Sequence, residues 1–199
     1  MVEPAPPQFT VTVPANWFAL DLDPRTRTDS IARLVESRIG PATDPAGRQL
    51  RRELTSLLRQ HARQAASHRA AYAALMYQVL DGVPLSASLL IAVGTAPLDP
   101  TGAAVLDPAA LGAVLAQGSD AQPEPFETLA GPAVRIRLDT AVPVRPDEPV
   151  PTAEFQYAIA VPGSELVLVL TFSTPNVTLA EPLAELFDAI ARSLDWAAA

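Results

Sequence analysis

The most informative pattern of apolar and polar positions lies near the C-terminus, where the hydrophobic period changes from two residues to about 3.6. Over residues 155–172, apolar side chains alternate with smaller or polar ones on both sides of Pro162-Gly163-Ser164. This alternation predicts a β-hairpin. Over 179–194 the apolar positions recur every three or four residues, which predicts an amphipathic helix that closes the fold.

Helical signals also occur elsewhere in the chain. Thr28 or Asp29 is placed to cap a helix over 29–39, which Gly40-Pro41 ends. A longer helix begins near Pro45 and covers 47–66. The spacing of Thr178 and Glu181 predicts a capping box at the start of the last helix. A short helix is expected over 108–115.

The remaining periodic segments predict strands. Two short strands, 9–13 and 17–20, surround Pro14-Ala15-Asn16 and are expected to form an opening hairpin. Further strands are predicted from about Tyr72, over 85–93 and over 134–138. The segment 141–151 contains four prolines and three charged residues, so it is predicted to be a mobile Pro-rich loop.

Length and composition favour one domain. A chain of 199 residues, 49% of them hydrophobic, is long enough to bury one sizeable core. The predicted organisation is a disordered Pro-rich N-terminus at 1–8 and a single α+β domain at 9–196. Its fold is expected to be a twisted antiparallel sheet sandwiched by the helices over 29–39, 47–66 and 179–194.

Composition excludes several classes of protein. There is no cysteine, which excludes disulfides and thiolate chemistry, and no lysine, which excludes Schiff-base chemistry and a P-loop lysine. No apolar run reaches the roughly 20 residues needed to cross a bilayer. The first residues have neither a basic nor an apolar signal region. We therefore expect a cytoplasmic protein without a membrane span.

Charge is segregated along the chain. Arginine supplies all 14 basic residues, and ten of them lie over 25–69 together with four acidic residues, a net charge of +6. The total is −8, so the rest of the chain carries −14. Such segregation indicates that a basic and an acidic surface meet, within one molecule, across a dimer or against a partner.

The long helix concentrates this positive charge on one side. At about 100° per residue, Arg48, Arg52, Arg59 and Arg63 fall within about 60° of arc, opposite an apolar side that includes His61. A solvated helix face explains the pattern, and so does a docking ridge for an acidic partner. Nucleic acid is not expected, because the rest of the chain is acidic and no aromatic residues interleave with the arginines.

An apolar anchor beside this ridge is a second prediction. Trp17 and Phe18 form an aromatic pair of the kind that dominates protein interfaces. The alternative interpretation is that Trp17 or Phe18 fills the core.

Catalytic, cofactor and metal sites are not indicated. His61 and His68 are the two histidines, and seven residues of helix separate them by about 10 Å, too far for one metal ion. They are expected to be packed or boundary side chains. Asp21 and Asp23 form a charged pair at a strand end that lacks the further carboxylates of a divalent-ion site. We therefore expect no cofactor and no enzyme activity.

Both ends of the chain resemble a known family. The segments 9–18 and 20–24 at the start, and 161–163, 172–176 and 186–194 at the end, resemble an uncharacterised actinobacterial protein family. Their layout is similar to the Mog1/PsbP-like fold, which includes the LpqN-type lipoproteins. The resemblance implies an α/β/α sandwich, a non-catalytic adaptor or assembly role, and association with type VII secretion loci. The lipobox cysteine of the LpqN type is absent, so membrane anchoring does not carry over.

Together these observations predict a non-catalytic, cytoplasmic protein-binding module that acts as an adaptor, chaperone or assembly factor. Its partner is expected to be a protein with an acidic surface, or a second copy of the chain. The alternative is a small-molecule or lipid binder that uses an apolar groove between sheet and helices. An enzyme is the third alternative, which a pocket with convergent polar groups and a perturbed ionisable residue would reopen.

Overall fold

The observed strands and helices coincide with most of the periodic segments of the sequence. The structure, a computed structural model, describes residues 8–39, 44–67, 70–80, 82–145 and 148–197. Its elements, in chain order, are β1 (Phe9–Thr10), β2 (Trp17–Ala19), α1 (Arg27–Ile39), α2 (Pro45–Ser67), β3 (Ala70–Leu80), β4 (Val83–Thr95), α3 (Pro108–Leu115), β5 (Glu124–Thr128), β6 (Gly131–Arg145), β7 (Glu148–Ala160), β8 (Leu166–Thr174), α4 (Ala180–Arg192) and β9 (Asp195–Trp196). A short 3-10 helix, Val177–Leu179, precedes α4. The four predicted helices are confirmed, and the predicted disordered segment 1–8 lies outside the described residues except for its last residue.

One antiparallel sheet organises the described part of the chain. It has seven strands in the order β2-β3-β4-β8-β7-β6-β5. The predicted hairpin is formed by β7 and β8, in which Phe155 faces Phe172 and Tyr157 faces Leu170. Gly163 in the turn has a φ of 67°, a conformation that favours glycine. Because helices cover both faces of this sheet, the predicted α+β sandwich is confirmed.

Helix α4 covers one face of the sheet through a cluster of aromatic side chains. The Phe187 ring stacks on that of Phe172 with 4.7 Å between centroids. It meets the rings of Phe155 and Trp17 edge-on, at 5.6 and 6.4 Å. These distances lie in the range at which aromatic pairs stabilise a core beyond the area they bury. The cluster fixes α4 across the middle of the sheet.

A polar network reinforces this attachment. The Tyr157 hydroxyl donates a hydrogen bond to Asp188 Oδ1 on α4 at 2.5 Å. Arg135 Nε lies 3.3 Å from the same oxygen, and Arg135 Nη1 lies 3.1 Å from Glu124 Oε2. Burial, followed by the bond to Asp188, raises the pKa of Tyr157. Its hydroxyl therefore stays protonated and remains a donor.

The opposite face of the sheet is divided between two helical layers. At one end α1 and α2 pack on β3, with side chains of all three elements buried together (Ile31, Val35, Leu58, Ala62, Leu75). At the other end α3 packs against β6 through Leu111 and Val134. A Cβ atom at Gly112 would lie 2.7 Å from Val134 Cγ2, so glycine permits the close approach of α3.

The predicted opening hairpin is wrong. Phe9 and Thr10 of β1 pair with Trp196 and Asp195 of β9, at the other end of the chain. The strand β2 pairs with β3 instead. Alternation identifies a strand but not its partner, and here both partners lie far away in sequence.

The predicted capping box at the start of α4 is also wrong. The first turn of this segment is the 3-10 helix over 177–179, and neither its N-cap residue, Asn176, nor that of α4, Leu179, makes a side-chain capping bond. The Asn176 side chain is used elsewhere: its Oδ1 accepts from Ser86 N at 3.0 Å. A bond to the neighbouring strand thus replaces the local cap.

The segment 141–151 does not form the predicted loop where the structure describes it. Residues 141–145 and 148–151 continue the pairing of β6 with β7, with Ala141 opposite Pro151 and Pro143 opposite Pro149. This part of β7 extends beyond its pairing with β8, which reaches Ala153. In such a ribbon alternate N–H groups point away from the partner, so prolines at alternate positions remove no ladder bond.

Replacing Phe187 with alanine tests the role of α4. We expect Phe187→Ala to lower the free energy of unfolding by about 3–5 kcal/mol, because it removes a fully buried ring and leaves a cavity. Urea unfolding followed by circular dichroism measures this change. The exposed substitution Glu185→Ala on the same helix is the control, and a loss below about 1 kcal/mol for Phe187→Ala would contradict the assignment.

Candidate functional site

Helix α2 carries a concentrated, positively charged surface. Arg48, Arg52, Arg59 and Arg63 are all exposed and follow one side of the helix, as predicted. We call this set the arginine ridge. It borders a shallow concavity that Arg51, Thr55 and Ser56 complete.

Two arginines of the ridge, Arg52 and Arg59, differ from the arginines of the C-terminal half in having no ion-pair partner among the described residues. Within the described part of the chain, ion pairs join Arg135, Arg137 and Arg192 to acidic side chains. No described side chain forms an ion pair with Arg52 or Arg59. These guanidinium groups therefore face solvent on a protein whose net charge is negative.

The aromatic pair predicted as an anchor is not presented at the surface. Trp17 is 5% exposed and packs against Phe172 and Phe187 on the α4 side. Phe18 is 9% exposed and pairs with Leu75 of β3. The predicted surface anchor is therefore wrong: both side chains contribute to the core, whereas the alternative interpretation expected this of one of them.

A groove lies under the inner side of α2. Its volume is about 270 Å³, and it is bounded by α2 and by the sheet between α2 and α3. Its lining residues are Leu20, His61, Ala65, Ala73, Ala74, Ser88, Leu89, Leu90, Glu154, Gln156, Thr171 and Ser173. The groove is therefore where the alternative prediction placed one, but half of its lining side chains are polar rather than apolar.

The sheet register brings the polar side chains together. Ser88 of β4 faces Ser173 of β8, which faces Glu154 of β7. In the next row Thr171 faces Gln156. Neighbouring strands lie about 4.8 Å apart, so these five side chains form one continuous polar patch on the central strands.

Several groups in the groove have no hydrogen-bond partner among the residues that the structure describes. The hydroxyls of Ser88, Thr171 and Ser173 form no side-chain hydrogen bond with a described residue, although all three residues are half-buried. Gln156 Nε2 donates to Glu154 Oε1 at 2.5 Å. The groove thus presents unsatisfied donors and acceptors beside one carboxylate.

His61 completes the groove from the helix side. It is half-buried, and this burial lowers its pKa below the ordinary value of 6.5. The imidazole is therefore neutral near pH 7 and can donate one hydrogen bond and accept another. This perturbed imidazole beside convergent polar groups is the combination that reopens an enzyme as an alternative. No described hydroxyl, however, is hydrogen-bonded to His61 as a nucleophile would be to its base. His68 lies outside the described residues, so the predicted pair of boundary histidines is described here for His61 alone.

The carboxylates of Asp21 and Asp23 organise a turn. Asp21 Oδ1 accepts from Asp23 N at 3.0 Å, and Asp23 Oδ1 accepts from Arg25 N at 2.9 Å. Hydrogen bonds from the Thr26 side chain and then from the Asp23 backbone lower the pKa of Asp21. The described residues contain no group of three or more His, Asp and Glu side chains that could hold a metal ion, and none of their helices is long and apolar enough to span a bilayer.

Sequence reasoning located the arginine ridge but not the polar groove. The available signal in the sequence is Ser86 and Ser88, two polar positions within the otherwise apolar strand over 85–93. The contributions of Thr171, Ser173 and Gln156 depend on which strands become neighbours. Nonlocal pairing of β4 with β8 supplies that information, and alternation alone does not.

Comparisons with known proteins give a likeness in structure. No protein-family model matches the chain, and no curated protein matches its sequence. Among solved structures, the chain is similar to LpqN of Mycobacterium tuberculosis, described as involved in cell envelope biogenesis. The two are 13% identical, the TM-score is 0.46, and the alignment covers 98% of this chain and 86% of LpqN. At this level the likeness carries no argument about function.

The lowered pKa of His61 predicts a dependence of stability on pH. In the unfolded chain the imidazole takes up a proton near pH 6.5, whereas the folded protein takes it up at lower pH. Stability that is fully present above about pH 7 is therefore lost as the pH falls through the folded pKa. We expect His61→Gln to lose less unfolding free energy than the wild type between about pH 7.5 and pH 5.

Urea unfolding at several pH values measures this difference. Wild type and variant share His68 and all carboxylates. The difference between their slopes of unfolding free energy against pH therefore reports on His61 alone. Equal slopes would show that the His61 environment is as solvated in the folded protein as in the unfolded chain.

Proposed function

We propose that this protein is a non-catalytic binding module whose arginine ridge docks the acidic surface of a protein partner. The observation that carries the proposal is the exposure of Arg48, Arg52, Arg59 and Arg63 along one side of α2. An interface formed by these side chains would be rich in charge-assisted hydrogen bonds, because each guanidinium group can bind a carboxylate through two parallel N–H donors.

The form of the ridge favours a protein over other polyanions. The ridge consists of two pairs, Arg48 with Arg52 and Arg59 with Arg63. The two arginines of each pair lie on successive turns of α2, and the whole ridge is about 22 Å long. The rest of the chain carries −14, which would repel a long nucleic acid or an anionic membrane beyond the ridge. A localised acidic patch or peptide meets the ridge without that repulsion.

Within this class we propose an adaptor or assembly role. The groove and the ridge both lie outside the aromatic cluster under α4, so a partner can dock on α2 without disturbing the core. The association with secretion that the family resemblance implies stays a prediction, and binding to a second copy of the chain is the principal alternative partner.

Charge reversal on the ridge tests the proposal with a defined probe. A fluorescently labelled glutamate-rich peptide is titrated with wild-type protein and with the double variant Arg52→Glu, Arg59→Glu, and binding is followed by anisotropy. We expect salt-sensitive binding by the wild type and a loss of affinity of at least about tenfold in the variant, because attraction at two positions becomes repulsion.

A matched control separates the ridge from net charge. The double variant Arg25→Glu, Arg33→Glu changes the net charge by the same amount at two exposed positions outside the ridge. It should bind the peptide like the wild type. Equal loss in both double variants, or no loss in the ridge variant, would contradict docking on the ridge.

The oligomeric state distinguishes the two kinds of protein partner. Sedimentation equilibrium of the wild type without added peptide should give a monomer. A wild-type dimer that Arg52→Glu, Arg59→Glu dissociates would replace the separate acidic partner with a second copy of the chain.

A further inference from the structure

The groove between α2 and the sheet has a composition that packing does not explain. Central strands of a covered sheet normally present apolar side chains to the helices. On the face under α4, β8 follows this rule with Leu168, Leu170 and Phe172. On the other face the same strand presents Thr171 and Ser173 to the groove.

Helices leave this part of the sheet open. The cluster under α1 and α2 includes Leu75 and Leu90, and the cluster under α3 includes Val134 and Ala158. The polar rows lie between these two clusters, and His61 and Ala65 of α2 line one side of the groove above them. The half-buried hydroxyls are thus accessible from solvent but concave, the situation of a ligand site.

We propose that this groove binds a small, neutral, hydroxyl-rich ligand of about the size of a monosaccharide. Its free groups, three hydroxyls and the His61 imidazole, each combine donor and acceptor capacity. A ligand hydroxyl has the same dual character, so a polyol can satisfy several of them at once. The inference is independent of docking on the arginine ridge.

The charges in the groove select against other ligands. No arginine lines it, and Glu154 is its one carboxylate among the described residues. This composition repels phosphate and carboxylate groups. Because Gln156 already donates to Glu154, the carboxylate needs less compensation from a ligand cation. The volume of about 270 Å³ lies just below the range of drug-sized pockets and fits a compact molecule.

The polar lining also argues against an acyl chain. A lipid tail would cover the hydroxyls of Ser88, Thr171 and Ser173 without bonding them, and each unpaired buried group costs free energy. The predicted alternative of an apolar groove for lipid is therefore replaced by a polar groove in the same place.

Amide chemical shifts test the proposal directly. Isotopically labelled full-length protein is titrated with D-glucose, D-galactose, D-mannose and myo-inositol, and separately with inorganic phosphate and methylammonium. We expect at least one neutral probe to shift the amides of Ser88, Glu154, Gln156, Thr171 and Ser173 saturably, while phosphate leaves them unchanged.

Two double variants locate the binding. Thr171→Val, Ser173→Ala removes two groove hydroxyls and should weaken binding of that probe at least about tenfold. Thr95→Val, Ser37→Ala makes the same chemical changes at exposed positions away from the groove and should bind like the wild type. Unfolding curves of both variants establish that they fold.

Three results would overturn the proposal. They are the absence of groove shifts with every neutral probe, equal affinity of the groove variant and the wild type, and tighter binding of phosphate or methylammonium than of any neutral probe. Tighter methylammonium binding would identify Glu154 as the recognition group and an amine as the ligand class.

Discussion

The packing of Phe187 into the centre of the sheet is the interaction on which the rest of the structure depends. Its ring meets Phe172 and Phe155 on neighbouring strands and Trp17 on the edge strand. Because side chains alternate between faces, a shift of one residue in β7 or β8 would move this aromatic set to the wrong side. The cluster therefore fixes register as well as the position of α4.

Fixing one face determines what the other face contains. Once Phe155 and Phe172 point towards α4, their neighbours Glu154, Gln156 and Thr171 must point the other way. A single helical layer over that face would bury these polar groups. The separate placement of α1 and α2 at one end and α3 at the other leaves the rows accessible. The groove thus forms because α4 covers the middle of one face of the sheet, whereas α1, α2 and α3 cover only the two ends of the other face.

Local patterns in the sequence were enough for the helices and for the β7–β8 hairpin, because caps, turns and periodicity lie within each segment. They were insufficient for β1, whose partner β9 lies at the far end of the chain. They also failed for 141–151, where composition suggested a loop although prolines at alternate positions are compatible with a two-stranded ribbon. The size of the Trp17 ring predicts a large contact area but not its partner. In the fold this contact is with Phe172 and Phe187 in the core rather than with another molecule.

The packed inner side of α2 and its exposed arginine ridge both follow from the way the helix lies on the sheet. An amphipathic helix that rests on a sheet has an inner side fixed by packing, here Leu58 and Ala62, and an outer side whose residues packing does not choose. In the C-terminal half, arginines such as Arg135 are held by carboxylates and aromatic rings, so their positive charge stabilises the attachment of α4. Arg52 and Arg59 have no such described partner on the fold. Packing thus leaves this line of positive charge undetermined: a solvated helix face accommodates it, and the docking proposed above would use it through complementarity to an external acidic surface.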